Sequence, residues 1–242
     1  MKATLIIKNI KNLYTCNEKS EVLSDAFIAV HHEYIIDLGI HHGYKKWMDS
    51  STRVIDAQGE CVVPAFIDSC LQNYGSLRSS DQTRNENETA YALRSNGILT
   101  MVTPLSRLQR KDLFQDIMKK RVCSEFPILS SVQQYSRKIP EKFLLSCGTG
   151  QEKHHIFSMH PIAFYLYNFR SVNAQTLLNS MTCWPAESFR LKDRGSVEIG
   201  KRADLLVLHT PTIEKYFNTI GVPLIRRMIK NGIPVYPDII RC

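Results

Sequence analysis

The chain has 242 residues, of which 43% are hydrophobic and 22% charged, so it can bury a sizeable core and is not disordered by default. No stretch approaches the roughly 18 consecutive apolar residues that a membrane-spanning helix requires. Its seven cysteines include no C-x-x-C pair, which fits reduced thiols better than a disulfide framework or a zinc finger. These features favour an ordinary globular protein without a membrane partner.

The formal net charge of +8 produces a positive field that attracts anions, including nucleic acid, anionic metabolites and acidic membrane surfaces. The basic residues stand in short groups such as Lys45-Lys46, without the interleaved aromatic residues that a stacking platform for single strands needs. We therefore interpret most of this charge as solvated surface and do not expect nucleic-acid binding. Lys8 and Lys11 interrupt the N-terminal apolar stretch, which disfavours a secretory signal and predicts a cytoplasmic protein.

Short β-strands separated by turns are predicted for the first 63 residues. A hairpin with a three-residue connection, His31 to Glu33, is predicted between two apolar runs. Five segments are rich in β-branched or aromatic residues: residues 5–14, 25–30, 34–39, 52–57 and 60–64.

Helices and strands alternate in the middle of the chain. Residues 88–97 have helical spacing ended by Gly97, and residues 98–104 then form a compact apolar strand stopped by Pro104. Apolar spacing and basic closing residues predict a second helix over 111–121, and residues 127–132 predict a second strand. This alternation is typical of an α/β layer or barrel.

The last part of the chain predicts two helices and then a return to β-structure. The helices cover 160–169 and 173–191, with Ser171 and Asn173 as capping candidates for the second. Three further β segments follow, with a turn at Asn231-Gly232: residues 195–209, 223–232 and 233–236.

The two β-rich ends bracket a mixed centre, which predicts that the ends pair with each other. We expect an α/β protein in which residues 1–63 and 195–242 form a composite β-sandwich domain, and residues 64–194 form an incomplete barrel-like α/β domain.

Four stretches, in the right order, resemble the amidohydrolase superfamily and within it the imidazolonepropionase-like branch. The most specific is 180–208, in which a helix carrying Pro185-Ala186 leads into the run Gly195-Ser196, Gly200-Lys201 and Ala203-Asp204-Leu205. The four stretches are residues 53–69, 96–104, 180–208 and 216–236.

This resemblance implies a small terminal β-sandwich attached to a metal-dependent (β/α)₈ barrel that hydrolyses C–N bonds in rings and amides. A full barrel of this kind needs about 250 residues. Only about 130 residues lie between Val63 and Arg194. The resemblance therefore implies a chain that is truncated inside its barrel.

The family places a His-x-His pair after the first barrel strand, where alternate residues of a strand can hold one metal ion together. In the matching phrase of this sequence, residues 64–72, those two positions are Cys70 and Gln72, and the family's catalytic aspartate falls at about Gly148. By this residue-by-residue transfer no metal ligand survives, so no metal cofactor is expected. Asp68 and Cys147 remain as carboxylate and thiol near the predicted barrel mouth, with a structural hydrogen-bonding role expected for Asp68.

A rebuilt zinc or iron site is the alternative to a lost one. It would combine the histidines that follow residue 153 with the two thiols near the barrel mouth, since mixed His and Cys ligation suits zinc. Adjacent residues of an extended chain point in opposite directions, which argues against a shared ion for the first two histidines. The candidate ligands are His154, His155, His160, Cys70 and Cys147.

Cys70 has no neighbouring base in the sequence that would activate it as a nucleophile. The pair Gly148 and Gly150 lacks the further glycines and the lysine of a phosphate-binding loop. Neither motif therefore predicts a catalytic site.

These observations favour a pseudoenzyme of the amidohydrolase type with a binding or scaffolding role and an unspecified small-molecule ligand. Whether the chain is an enzyme stays open, because the rebuilt Cys/His site would give an active hydrolase of cyclic amides. An anion or nucleic-acid binder is the third hypothesis. An incomplete barrel exposes strand edges, which predicts a homodimer or a covering helix, for which residues 160–169 are the candidate.

Overall fold

The computed structural model describes residues 1–69, 91–103, 116–119, 126–130, 138–147 and 157–236. It has the mixed α/β character predicted from the sequence. The chain divides into two compact units: a terminal unit, residues 1–65 with 191–242, and a central unit, residues 66–190. Among the described residues, no helix has the length and apolar character needed to cross a membrane.

The terminal unit contains one eight-stranded sheet. Its strand order is β13-β12-β11-β5-β1-β2-β3, and β4 pairs with β1 in parallel. The sheet therefore joins the first and last parts of the chain through the antiparallel pair of β5 and β11. The strands are β1 (Leu5–Tyr14), β2 (Val22–His31), β3 (Tyr34–Ile40), β4 (Arg53–Asp56), β5 (Val62–Pro64), β11 (Leu205–Leu208), β12 (Ile225–Lys230) and β13 (Ile233–Tyr236).

Both faces of this sheet are apolar. In β1, Leu5 and Ile7 join one buried cluster, whereas Ile6 between them joins another with Phe27 and Tyr44. This division follows from the two-residue period of a strand, because successive side chains point to opposite faces. The predicted strands of the N-terminal segment thus lie in one continuous hydrogen-bonded sheet, covered on both faces.

Two tight hairpin turns connect strands of this sheet. Asn231 and Gly232 have φ angles of 50° and 74°, the pair of positive values that a type I′ turn requires, so the turn predicted here is confirmed. The predicted three-residue connection after β2 is wrong, because His31 pairs directly with Tyr34 and only His32 and Glu33 turn the chain. The strand pairing thus extends one residue further than the polar sequence indicated.

A buried ion pair anchors the hairpin of β12 and β13. The ammonium group of Lys230 lies 2.6 Å from the carboxylate of Asp204, which also accepts a hydrogen bond from the backbone N–H of Asn231. Arg194 lies 3.8 Å from Asp204 and donates to Asp193, and this hydrogen bond holds the pKa of the Asp193 carboxyl well below its usual range. These charges are paired and hydrogen-bonded, as burial requires.

The central unit contains a three-stranded parallel sheet, β6-β7-β8, and a two-stranded parallel pair, β9-β10. Among the described residues, a helical segment over 91–95 precedes β7, three helices follow β10 in the sequence, and a further short helix, α4 (Ile213–Phe217), belongs to the terminal unit. The elements of the central unit are β6 (Phe66–Asp68), β7 (Ile98–Thr103), β8 (Asp116–Lys119), β9 (Ile128–Leu129), β10 (Leu144–Leu145), α1 (His160–Arg170), α2 (Ala174–Met181) and α3 (Cys183–Ser188).

The helix predicted over 111–121 is wrong for the part that the structure describes. Residues 116–119 form strand β8, which pairs in parallel with β7, Thr100 opposite Asp116. Pairing with a strand that is distant in sequence has overridden the helical periodicity, which is only a weak local preference.

The single helix predicted over 173–191 is divided at Thr182. Asn173 caps α2 as predicted, accepting a 2.7 Å hydrogen bond from the N–H of Thr176. Pro185 has no N–H to donate to the carbonyl of Met181, and its ring would collide with that carbonyl in a continuous helix. The chain therefore breaks at Thr182 and starts α3 one residue later.

Helix α1 forms where a covering helix was predicted. It buries Ile162 and Leu166, whereas Phe169 is 67% exposed. Ser171 ends this helix in a left-handed conformation, with φ of 54°, and is therefore not the cap of the next helix.

Replacing Gly232 by alanine should destabilise the terminal unit strongly. Its φ angle is positive, and a Cβ atom there would collide with the backbone carbonyl oxygen of His32. Gly59 is the matched control, because it also has positive φ but no atom within 4 Å of an added Cβ. We expect Gly59→Ala to cost about 1–2 kcal/mol in urea unfolding, and Gly232→Ala at least about 2 kcal/mol more. If Gly232→Ala and Gly59→Ala lowered the free energy of unfolding equally, the close contact between the β12–β13 turn and the β2–β3 turn would be contradicted.

Candidate functional site

The structure describes some of the residues predicted to form a site and not others. Asp68, Cys147 and His160 lie within the described parts of the central unit. The predicted positions that lie outside the described residues are Cys70, Gln72, Gly148, His154 and His155. The candidate site is therefore built from Asp68 outward.

Asp68 is the last residue of β6 and lies at the carboxyl end of a parallel sheet. Phe66, Ile67 and Asp68 are all buried, and β6 pairs in parallel with β7. Such an edge is where α/β proteins place their ligand-binding side chains. A buried carboxylate at this position must be hydrogen-bonded, because an isolated charge is costly to remove from water.

Ser146 and Cys147 bring hydrogen-bond donors to this carboxylate. They directly follow β10, where the N–H of Ser146 donates to the carbonyl of Leu129. The hydroxyl of Ser146 donates to Oδ1 of Asp68 at 2.6 Å, although the two residues are 78 positions apart. The thiol of Cys147 is also hydrogen-bonded to Asp68. We call Asp68, Ser146 and Cys147 the aspartate cluster.

The aspartate cluster is closed to solvent. Asp68 and Ser146 are 0% exposed and Cys147 is 1% exposed. Helix α2 packs on β6 and β10, and α3 packs on β6. Phe143, just before β10, meets Trp184 of α3 in an edge-to-face contact with ring centroids 6.3 Å apart.

Burial determines the protonation state of Cys147. It raises the pKa of the Cys147 thiol well above its ordinary value, and the negative charge of Asp68 and the hydrogen bond to it raise that pKa further. The thiol is therefore protonated at neutral pH. A protonated, buried thiol is a poor nucleophile, and it could bind a metal ion only by releasing its proton.

The aspartate cluster by itself is an incomplete donor set for a divalent metal ion. It brings together one carboxylate and one thiol, and the thiol would have to release its proton to bind a metal. In the described parts of the chain, no three His, Cys, Asp or Glu side chains are grouped so that they could hold a metal ion. His160, a predicted alternative ligand, starts α1 and is mostly buried there without joining such a group.

Ser146 is the member that the sequence analysis missed. Its only sequence signal is its position directly after the buried pair Leu144-Leu145, at the end of a strand. Side chains just after parallel strands are where α/β proteins place binding residues, so Ser146, next to the predicted Cys147, could have been considered on that ground.

Solved structures with the same fold are enzymes. An enamidase described as a member of the amidohydrolase superfamily matches with a TM-score of 0.71 and 14% identity, covering 95% of this chain and 95% of that one. Molinate hydrolase matches with a TM-score of 0.69, 10% identity and coverages of 97% and 95%. A zinc-bound adenosine deaminase from Xanthomonas campestris matches with a TM-score of 0.68 and 10% identity, covering 96% of this chain and 93% of that one.

No family model and no curated protein sequence matches this chain. At identities of 14% or less, the three structural similarities establish a shared fold and nothing about activity. The fold of this chain is thus similar to the folds of these three enzymes.

Removing the hydroxyl of Ser146 should destabilise the central unit. Ser146→Ala removes a donor from a buried carboxylate, so we expect a loss of about 1.5–3 kcal/mol in urea unfolding. Ser24→Ala is the matched control, because its exposed hydroxyl donates a 3.3 Å hydrogen bond to Asn12, and its loss should stay within about 0.5 kcal/mol. A Ser146→Ala variant as stable as the wild type would show that Asp68 does not depend on this bond.

Ionisation of Cys147 should make the protein less stable at alkaline pH. The folded pKa of this thiol is raised, so its contribution to stability is complete below the unfolded pKa of about 8.5 and is lost as pH rises above it. Cys147→Ser keeps a donor to Asp68 and does not titrate in this range. The stability of this variant relative to wild type should therefore increase by up to about 1.4 kcal/mol for each pH unit above 8.5. If the stabilities of the wild type and Cys147→Ser changed with pH in parallel in reducing buffer, the raised pKa of the Cys147 thiol would be contradicted.

Proposed function

From the fold that it shares with amidohydrolase-superfamily enzymes, we propose that this chain no longer performs metal-dependent C–N hydrolysis and instead has a binding or scaffolding role. The observation that carries this proposal is the aspartate cluster. At the sheet edge where the barrel mouth is expected, the carboxylate of Asp68 is bound by a hydroxyl and a protonated thiol.

Hydrolysis by a bound metal needs ligands that hold the ion and lower the pKa of its water to about 7. At the positions that match the family's ligands, this sequence has Cys70, Gln72 and Gly148. A carboxamide is a poor ligand for zinc or iron, and glycine has no side chain to act as a base. These substitutions and the aspartate cluster support the same conclusion independently.

We also propose which branch of the superfamily the chain derives from, that its barrel is truncated, and where the protein is located. The sequence stretches that resemble the imidazolonepropionase-like branch point to an ancestor that acted on cyclic amides. The segment of about 130 residues between Val63 and Arg194 supports a barrel that has lost some of its repeating units. The described cysteines Cys16, Cys61, Cys147 and Cys183 are not joined in disulfides, which suits the reducing cytoplasm that we propose as the protein's location.

Metal content and turnover together test the proposal. The protein, produced in medium containing zinc and iron and purified without chelators, should hold far less than one equivalent of either metal by elemental analysis. It should not hydrolyse imidazolonepropionate, a hydantoin or a dihydropyrimidinone above the buffer rate, with or without added Zn²⁺.

Cys147→Ser serves as the matched variant. It replaces the one described thiol of the cluster and should equal the wild type in both measurements, since neither protein is expected to use a thiolate. Stoichiometric zinc or iron, with turnover that a chelator removes and the metal restores, would overturn the proposal. Loss of that metal in Cys147→Ser would assign the activity to a rebuilt site.

A further inference from the structure

The terminal unit contains a cavity of about 350 Å³ that the proposed function does not use. Its walls come from the residue before β1, the β2–β3 turn, the start of β4 and the β12–β13 hairpin. This volume lies at the lower end of the range of about 300–1,000 Å³ found for small-molecule sites. The residues that line it include Thr4, His32, Glu33, Arg53, Ile233 and Pro234.

Thr4 fixes the backbone of two residues with nitrogen-bearing side chains at this cavity. Its carbonyl accepts the backbone N–H of Arg53 at 3.0 Å, and its hydroxyl accepts the backbone N–H of His32 at 2.9 Å. The hydroxyl of Thr4 also donates to the carbonyl of Val30 at 3.3 Å. Arg53 and His32 are thus fixed on two sides of one residue, although they lie on different strands and turns.

The positive charge of Arg53 is not neutralised by the described residues. Its side chain is exposed and forms no ion pair or hydrogen bond with them. Glu33, the carboxylate at the cavity, is paired with Arg202 at 2.9 Å, and Arg202 is held in turn by Asp193 at 2.7 Å. Arg53 therefore lines the cavity as an exposed residue whose positive charge is not paired by the described residues.

The backbone around the cavity is closely packed, which keeps these groups in place. The N–H of Gly232 donates to the carbonyl of Ala203 at 3.0 Å, and the N–H of Ala203 donates to the carbonyl of Glu33 at 2.8 Å. A side chain at position 232 would collide with the His32 carbonyl. Beside this frame, Ile233 is 62% exposed and provides an apolar wall with Pro234.

We propose that this cavity binds a small organic anion, with an oxyanion at one end and a short branched apolar group at the other. The oxyanion is a carboxylate or a phosphate ester, and Arg53 binds it through the guanidinium fork, which matches the geometry of either group. The imidazole of His32 provides a second polar contact. Ile233 and Pro234 pack against the apolar end of the ligand.

Titrations followed by amide NMR spectra of the full chain test this site. Isovalerate and acetate form the carboxylate arm, and isobutyl phosphate and inorganic phosphate form the phosphate arm. With the branched ligand of one arm, we expect saturable chemical-shift changes at the amides of Thr4, His32, Gly232 and Ile233. The binding should weaken as salt is added. The arm that saturates identifies the oxyanion.

Two variants separate a built site from general attraction to a basic protein. Arg53→Gln should weaken binding at least roughly tenfold. Arg190→Gln removes the same charge from an exposed arginine that does not line the cavity, and it should leave binding within about twofold. Ile233→Thr keeps a β-branched residue. It should weaken the binding of isovalerate or isobutyl phosphate and leave the binding of acetate or inorganic phosphate unchanged.

The proposal is overturned if no ligand produces saturable shifts at the cavity, or if Arg53→Gln and Arg190→Gln weaken binding equally. It is also overturned if the branched ligands bind no better than acetate and inorganic phosphate. None of these outcomes bears on the loss of hydrolysis, because the cavity and the aspartate cluster share no residue.

Discussion

The carboxylate of Asp68 has to be satisfied inside the protein, and much of the central unit is arranged around that requirement. Its side chain is fully buried at the end of β6, where an unpaired charge would be too costly to retain. The hydroxyl of Ser146 donates to Oδ1 of this carboxylate, and the thiol of Cys147 is a second hydrogen-bonding neighbour; both residues lie in the chain segment that follows β10. Helices α2 and α3 cover the strands that carry them and exclude water. Two segments distant in sequence are thereby fixed to each other.

The same hydrogen bonds determine what this sheet edge can do chemically. Oδ1 of the Asp68 carboxylate accepts the hydroxyl of Ser146, and burial beside Asp68 raises the pKa of the Cys147 thiol, which keeps that thiol protonated at neutral pH. In this fold the carboxyl edge of the sheet is the expected place for a reactive centre. Among the described residues of this edge, Asp68, Ser146 and Cys147 are buried and belong to the core of the central unit.

Local signals in the sequence predicted local features well. Apolar and β-branched runs located the strands of the terminal unit, Asn231-Gly232 predicted its tight turn, and Asn173 predicted a helix cap. Each of these depends on a few neighbouring residues. Residues 116–119 were predicted wrongly because their pairing with β7 is not encoded nearby. The bond from Ser146 to Asp68 spans 78 positions, so no spacing rule could reveal it.

The protonation state of the Cys147 thiol is the property on which the account depends most directly, and infrared spectroscopy can measure it. The S–H stretching band of this residue is assigned by its absence in a Cys147→Ser variant. Because we expect a protonated thiol, the S–H band should be present at neutral pH, shifted by the hydrogen bond to Asp68, and unchanged when excess Zn²⁺ is added. Disappearance of the band at neutral pH, or on binding one equivalent of zinc, would show a thiolate and contradict the account.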